Sequence, residues 1–143
     1  MVTPARVAER LGGVRYGSHP VESLQDLRLA VEKGLSVETL YRITDNLARN
    51  EVEAARIRHA IVPRTTLRRR TLLTPEEGER TARLARLMVL AEEVWDDREL
   101  AREFLLSPQP QLGGETPIAL ALTELGAREV EELLLRLEYA LPA

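Results

Sequence analysis

The 143-residue sequence contains no cysteine and very few aromatic residues. Without cysteine the chain has no disulfide framework, no thiolate metal site and no cysteine nucleophile. Aromatic side chains make up only 3% of the residues, so the core must be built from Leu, Val, Ile and Ala. An aliphatic composition that is rich in Glu and Arg favours packed helices over β-sheet. We therefore expect an all-α fold.

Long apolar runs are also absent, because no stretch approaches the roughly 18 residues that would span a bilayer. The first residues, MVTPARVAERLGG, lack the apolar segment of a secretory signal. We therefore expect a cytoplasmic protein with no membrane partner. The net charge of −3 is too small to predict attraction of the whole protein to nucleic acid.

Residues that could carry catalysis or hold a metal do not cluster. His19 and His59 lie far apart in the chain, with no companions at ligand spacing, so we predict no metal site. Gly113–Gly114 is expected to be a structural turn rather than a phosphate loop, because no lysine follows it and no strand precedes it. No nucleophile stands beside a base. The sequence therefore predicts a protein that is not an enzyme and needs no cofactor.

Helical periodicity runs through nearly every segment, and no strand is predicted. Ser36 and Asn50 are suitable N-caps for two successive helices, and Gly34 is a suitable C-cap for the helix before them. Pro63 interrupts the second of these patterns, and a short basic helix should follow it. The last helix is expected to run from about Leu125 to Tyr139.

The clearest boundary in the chain is the stretch TPEEGER. Thr74, Pro75 and Glu77 have the spacing of a capping box with proline at the first helical position. We therefore predict two helical halves, residues 1–73 and residues 74–143.

Positive charge is concentrated in the stretch PRTTLRRR, although the chain as a whole is mildly acidic. Residues 56–70 carry six arginines and no acid, whereas residues 115–143 carry six acids and two arginines. A basic middle and an acidic end predict two surfaces for two kinds of partner.

A helix, a Pro-initiated turn and a second short helix are typical of a helix-turn-helix, whose second helix enters the major groove of DNA. In that interpretation an arginine at the start of the second helix reads guanine, the threonines contact phosphate or a thymine methyl, and the later arginines neutralise phosphates. The candidate DNA-binding residues are Arg64, Thr65, Thr66, Arg68, Arg69 and Arg70. The alternative is a solvated arginine run that stabilises a helix C-terminus.

The C-terminal half carries a set of motifs that resembles a known family. LGGETP at 112–117, GAR at 126–128 and RLEY at 136–139 resemble the toxin-binding domain of Xre-type antitoxins that are paired with RES-domain toxins. Upstream, PRTTLRRR is similar to the family's Pro-Arg-x-Thr-Leu signature, so the resemblance covers roughly residues 35–143. The sequence departs from the family at Ala140, where glycine is usual.

This resemblance implies an antitoxin of a type II toxin–antitoxin system. Its N-terminal half would be a dimerising helix-turn-helix that represses its own operon. Its C-terminal half would bind a RES-domain toxin, an enzyme that consumes NAD⁺, and block the active site with the last helix and tail. The implied toxin-binding residues are Arg128, Arg136, Glu138, Tyr139, Leu141, Pro142 and Ala143.

The expected partners are therefore the RES-domain toxin, operator DNA, and a second copy of the chain in a homodimer that forms a higher-order complex with toxin. Two alternatives stay open. Tyr139 could merely finish the packing of the last helix while the tail frays in solvent. The chain could also be a stand-alone helix-turn-helix transcriptional regulator.

Overall fold

The computed structural model describes residues 1–140, and the expected toxin-binding residues Leu141, Pro142 and Ala143 lie outside the described residues. Within residues 1–140 the chain forms nine α-helices, one 3-10 turn and a two-stranded hairpin. In chain order these are α1 (Pro4–Arg10), β1 (Arg15–Tyr16), β2 (His19–Pro20), α2 (Leu24–Lys33), α3 (Val37–Leu47), α4 (Glu51–Ile61), α5 (Arg64–Arg68), α6 (Pro75–Trp95), α7 (Arg98–Leu106), the 3-10 turn (Pro110–Leu112), α8 (Pro117–Leu120) and α9 (Glu124–Ala140). The all-α prediction is confirmed.

The expectation that no strand would form is wrong for the small hairpin. Its strands pair antiparallel, with Arg15 opposite Pro20 and Tyr16 opposite His19. Gly17 has a φ of +64°, which the tight turn between the strands requires. Strands of two residues are too short to show an alternating apolar pattern, so periodicity could not reveal them.

The predicted helix starts are confirmed. The side chains of Ser36 and Asn50 accept hydrogen bonds from the first turns of α3 and α4. Thr74 Oγ1 accepts from the Glu77 backbone N–H at 3.2 Å, and Glu77 Oε1 accepts from the Thr74 backbone N–H at 2.9 Å. This reciprocal pair is the capping box that begins α6.

Helix α6 is the central element of the fold. Over its 21 residues it packs against α1, α2 and α3 on one side of the sequence boundary and against α7 and α9 on the other. Its apolar stripe is buried along its length, at Leu84, Ala85, Leu87, Met88, Ala91 and Val94. The hydrophobic core is therefore continuous across residue 73.

The segment that follows α5 is tied to the start of α3. The Val37 backbone N–H donates to the Thr71 carbonyl at 3.0 Å, and the Leu73 N–H donates to the Leu35 carbonyl at 2.7 Å. We call residues 56–70 the basic segment. Since α5 is only five residues long, these bonds help to fix where the basic segment ends.

Candidate functional site

The basic segment is a helix, a sharp turn and a short second helix, as the sequence predicts. Helix α4 ends at Ile61, Val62 is fully buried in extended conformation, and Pro63 begins the turn into α5. Leu67 is buried and anchors α5 to the core. The side chains of the candidate DNA-binding residues Arg64, Thr65, Thr66, Arg68 and Arg69 are exposed on this segment.

Arg70 differs from the other candidate DNA-binding residues because it already has a partner. Its Nη2 lies 2.6 Å from Glu77 Oε2 in the first turn of α6. Partial burial by itself raises the pKa of Glu77, but the hydrogen bonds from Arg70 and Thr74 and the charge of Arg70 together lower it. The carboxylate of Glu77 thus already occupies one side of this guanidinium.

Arg58 was counted with the basic run in the sequence, but the structure buries it to 3% exposure. Its Nε donates to Thr44 Oγ1 at 3.2 Å, and its Nη2 lies 2.8 Å from Asp45 Oδ1. Its Nη1 lies 3.2 Å from Glu51 Oε1. The guanidinium also stacks over the Tyr41 ring, 4.3 Å from the centroid.

These contacts make Arg58 the polar link between α3 and α4, because Tyr41, Thr44 and Asp45 all belong to α3. The sequence carried one signal for this role. Thr44 lies among Leu40, Ile43 and Leu47 on the apolar face of α3, and a hydroxyl at such a position needs a partner. Sequence reasoning missed Arg58 because its partner became visible only when the two helices were placed side by side.

In the C-terminal half, two arginines of α6 hold the last helices in place. Arg83 Nη1 donates to the carbonyls of Ala121 and Leu122, each at 3.3 Å, and burial and the neighbouring Arg86 charge lower the pKa of Arg83. Arg86 Nη2 lies 2.5 Å from Glu131 Oε1 on α9. Helix α9 is therefore fixed against α6 by ion pairing as well as by apolar burial.

Gly126, within the GAR motif, lets α9 begin close to the end of α8. A Cβ at this position would lie 2.1 Å from the Leu120 carbonyl oxygen, which is backbone and cannot move aside cheaply. Any larger residue would therefore push α9 away from α8.

The two sides of α9 differ in exposure. Its inner face buries Val130, Leu133 and Leu134 against the rest of the protein. On its outer face Leu125, Leu135 and Tyr139 are 75%, 41% and 85% exposed. At about 100° per residue these three side chains fall within an arc of roughly 80°. We call Leu125, Leu135 and Tyr139 the outer stripe of α9.

The structure brings Arg128, Arg136 and Tyr139 together on this outer side, but not Glu138. Arg128 lies between Leu125 and Leu135 on the helical wheel, and Arg136 lies at the edge of the stripe. Glu138 follows Arg136 by two residues and projects about 100° away from Tyr139. Sequence reasoning missed Leu125 and Leu135, although 125, 128, 132, 135 and 139 alternate spacings of three and four.

Residues 90–140 match the family model described as the Antitoxin Xre/MbcA/ParS C-terminal toxin-binding domain. The matched region begins within α6 and includes all of α7, α8 and α9. The outer stripe therefore belongs to a toxin-binding antitoxin domain.

The similarity to antitoxins extends beyond that domain. A protein of Yersinia enterocolitica named Antitoxin Xre is 36% identical over 115 residues, which cover 77% of this chain and 76% of the relative. A protein of Pseudomonas putida with the same name is 28% identical over 116 residues, covering 78% of this chain and 70% of the relative. The chain belongs to the Xre antitoxin family, which confirms the suspected resemblance. Among residues 1–140 no helix is long and apolar enough to cross a membrane.

Proposed function

We propose that this antitoxin neutralises a RES-domain, NAD⁺-consuming toxin by docking the outer stripe of α9 at the toxin's active site. The observation that carries the proposal is the exposure of Leu125, Leu135 and Tyr139 along one side of a helix that is held firmly on its other side. An amphipathic helix that lays exposed apolar side chains into a groove is a common mode of peptide recognition. Tyrosine is among the residues that most often dominate binding energy in such contacts.

The charged residues around the stripe would orient the helix in the toxin. Arg128 is paired at the surface with Glu124, its Nε 3.2 Å from Glu124 Oε1, whereas no carboxylate within residues 1–140 pairs with Arg136. Arg136 is thus available for an acid of the toxin. Glu138, on a different side, could pair with an arginine that binds substrate phosphate. Leu141, Pro142 and Ala143 would extend this contact into the NAD⁺ pocket. Neutralisation in this form needs binding alone and no catalysis.

We assign operator binding and repression of its own operon to residues 1–73, acting as a homodimer, and toxin binding to residues 74–143. The DNA assignment is supported by α5, which exposes Arg64, Arg68 and Arg69 while Leu67 anchors it. Arginines at the start of such a helix can bond guanine through two acceptors, and those further along can neutralise phosphates.

Co-expression with the product of the adjacent gene, followed by pull-down and an intracellular NAD⁺ assay, tests the toxin assignment. We expect a stable complex and a restored NAD⁺ level. If neither is observed, the chain acts as a stand-alone transcriptional regulator.

Removal of residues 136–143 tests the tail within that assay. We expect the shortened protein to lose neutralisation, because it lacks Tyr139, Arg136 and the terminal residues together. Binding to a fragment of its own promoter in a mobility-shift assay should be retained, which shows that the rest of the protein is folded. Full protection of cells by the shortened protein would rule out the blocking role of the tail.

A further inference from the structure

A cleft of about 470 Å³ lies between the hairpin and the N-terminal end of α3, apart from α9. Three basic side chains from three different elements line it: Arg15 of β1, Lys33 at the end of α2 and Arg42 of α3. Lys33 is the only lysine in the chain. Glu38 is the one acidic residue among the lining residues.

The three cations of this cleft are not used to pair with acids of the chain. In the part of the chain that the structure describes, no carboxylate oxygen lies within 4.0 Å of the charged nitrogens of Arg15, Lys33 or Arg42. Most other arginines differ in this respect, as in the pairs Arg28–Glu32 at 2.9 Å and Arg49–Glu53 at 3.8 Å. The cleft therefore holds an excess of positive charge in an otherwise acidic protein.

Gly12 allows Arg42 to lie across the wall of the cleft. A Cβ at Gly12 would stand 2.4 Å from Arg42 Nε, and the φ of +105° at Gly12 favours glycine independently. The absence of a side chain at this position thus leaves room for the exposed Arg42 side chain beside Gly12.

The N-terminal end of α3 supplies no free donors to this cleft, since its first backbone N–H groups already have partners. The Val37 N–H donates to the Thr71 carbonyl, the Glu38 N–H to Ser36 Oγ, and the Thr39 N–H to the Ser36 carbonyl. The guanidinium of Arg42 and the ammonium of Lys33 are donors that suit phosphate oxygens, through charge-assisted hydrogen bonds. Arg15, whose Nη2 donates to the Ser18 carbonyl, adds positive charge beside them.

We propose that the cleft of Arg15, Lys33 and Arg42 binds phosphate groups. Leu72, which lines the cleft, follows Arg70 by two residues, so the cleft adjoins the basic segment. The phosphates could come from the backbone of DNA that contacts α5 or from a free nucleotide. Only the DNA source rests on the proposed operator binding.

Titration calorimetry of the full chain with inorganic pyrophosphate tests the cleft itself. We expect saturable binding that Arg42→Gln or Lys33→Gln weakens by about tenfold, because each removes a charge-assisted contact. Glu38→Gln should tighten binding by removing the lone acid. The matched control is Arg28→Gln, which removes the same charge outside the cleft and should change little. Binding that is equal in all four variants would overturn the proposal.

The salt dependence of binding to the promoter fragment separates the two sources. If the phosphates belong to DNA, Arg42→Gln should make the negative slope of log K against log salt shallower by about one unit. An unchanged slope with pyrophosphate binding intact in the wild type assigns the cleft to a free nucleotide. An unchanged slope without pyrophosphate binding refutes the site. If the wild type does not bind the promoter at all, operator binding fails and calorimetry alone decides on the cleft.

Discussion

The basic segment and the outer stripe of α9 are both exposed, but they are held in place in different ways. Helix α5 has five residues and one buried anchor, and the ion pair to α6 lies beyond its end, at Arg70. Helix α9 has 17 residues, and buried residues anchor it from Gly126 to Leu134. An isolated helix of fewer than about 12 residues is marginal in water, so α5 depends on its neighbours for its shape. Substitutions far from α5 should therefore affect the basic segment more than comparable substitutions affect α9.

The arginines of the basic segment also differ in exposure on the two sides of Pro63. Arg58 is buried between α3 and α4, whereas Arg64, Arg68 and Arg69 are exposed beyond the turn. Arginine thus stabilises the packing of α3 against α4 at one position and forms the exposed positive surface at others. A count of positive charge in the sequence cannot distinguish these two roles.

The largest effect is expected at the outer stripe. The double substitution Leu135→Ala and Tyr139→Ala should weaken toxin binding by about 100-fold or more, since aromatic side chains that become buried in a complex dominate such contacts. Surface plasmon resonance with the purified toxin measures this loss. Leu100→Ala is the matched control, because Leu100 is exposed on α7 and lies off the stripe. An equal loss in the control, or no loss in the double variant, would contradict docking by this face.

The next largest effect is expected at Arg58. Arg58→Ala removes three hydrogen bonds and the contact with Tyr41, so we expect the free energy of unfolding to fall by about 2 kcal/mol. The expected loss is moderate because Asp45 and Glu51 are largely solvated and stay so after the change. Urea denaturation provides the measurement.

Arg56→Ala is the control for Arg58, since Arg56 lies two residues away and is exposed. It should change stability by less than about 0.5 kcal/mol. Promoter binding should weaken in the Arg58 variant under conditions where most of the protein is still folded, while toxin binding is retained. Equal weakening of both activities would mean that Arg58 supports the whole fold rather than the placement of α4 and α5.

A smaller effect is expected within the exposed arginines. The combined substitution Arg68→Ala and Arg69→Ala should make the negative slope of log K against log salt for promoter binding shallower by about two units. Arg70→Ala should change the slope by clearly less than one unit, because Arg70 is engaged by Glu77. Fluorescence anisotropy at several salt concentrations distinguishes these outcomes. If Arg70→Ala changes the slope by a full unit, as much as each arginine of the double variant does, Arg70 leaves Glu77 to contact phosphate.

Features set by neighbouring residues could be predicted from the sequence. The capping box at Thr74 and Glu77 and the caps at Ser36 and Asn50 depend on residues no more than three positions apart, and all three are confirmed. The family was recognisable for a related reason, since its motifs are short and contiguous.

Features set by the packing of distant segments could not be predicted in this way. The burial of Arg58 depends on how α3 lies against α4, and the cleft gathers Arg15, Lys33 and Arg42 from three elements. The outer stripe of α9 was missed for another reason. Helical spacing assigns residues to one side of a helix, but it does not tell which of the outward apolar side chains stay exposed.

The smallest effect is expected at Glu77, the residue through which α6 holds the end of the basic segment. The pKa of Glu77 is lowered in the folded protein from the ordinary value of 4.5. Its charge therefore stabilises the fold fully at pH values above the pKa that Glu77 has in the unfolded state. This contribution is lost as the pH falls through the lowered pKa.

Glu77→Gln keeps a hydrogen-bonding group for the cap but removes the charge that pairs with Arg70. We expect Tm at pH 7 to fall by about 2–4 °C relative to wild type. The difference should shrink as the pH falls from 4.5 through the lowered pKa, below which the carboxylate is protonated in the folded protein as well. Glu76→Gln, an exposed neighbour, is the control and should show little change. A Tm difference at Glu77 that stays constant from pH 7 into the acid range would mean that shape, and not charge, connects α6 to the basic segment.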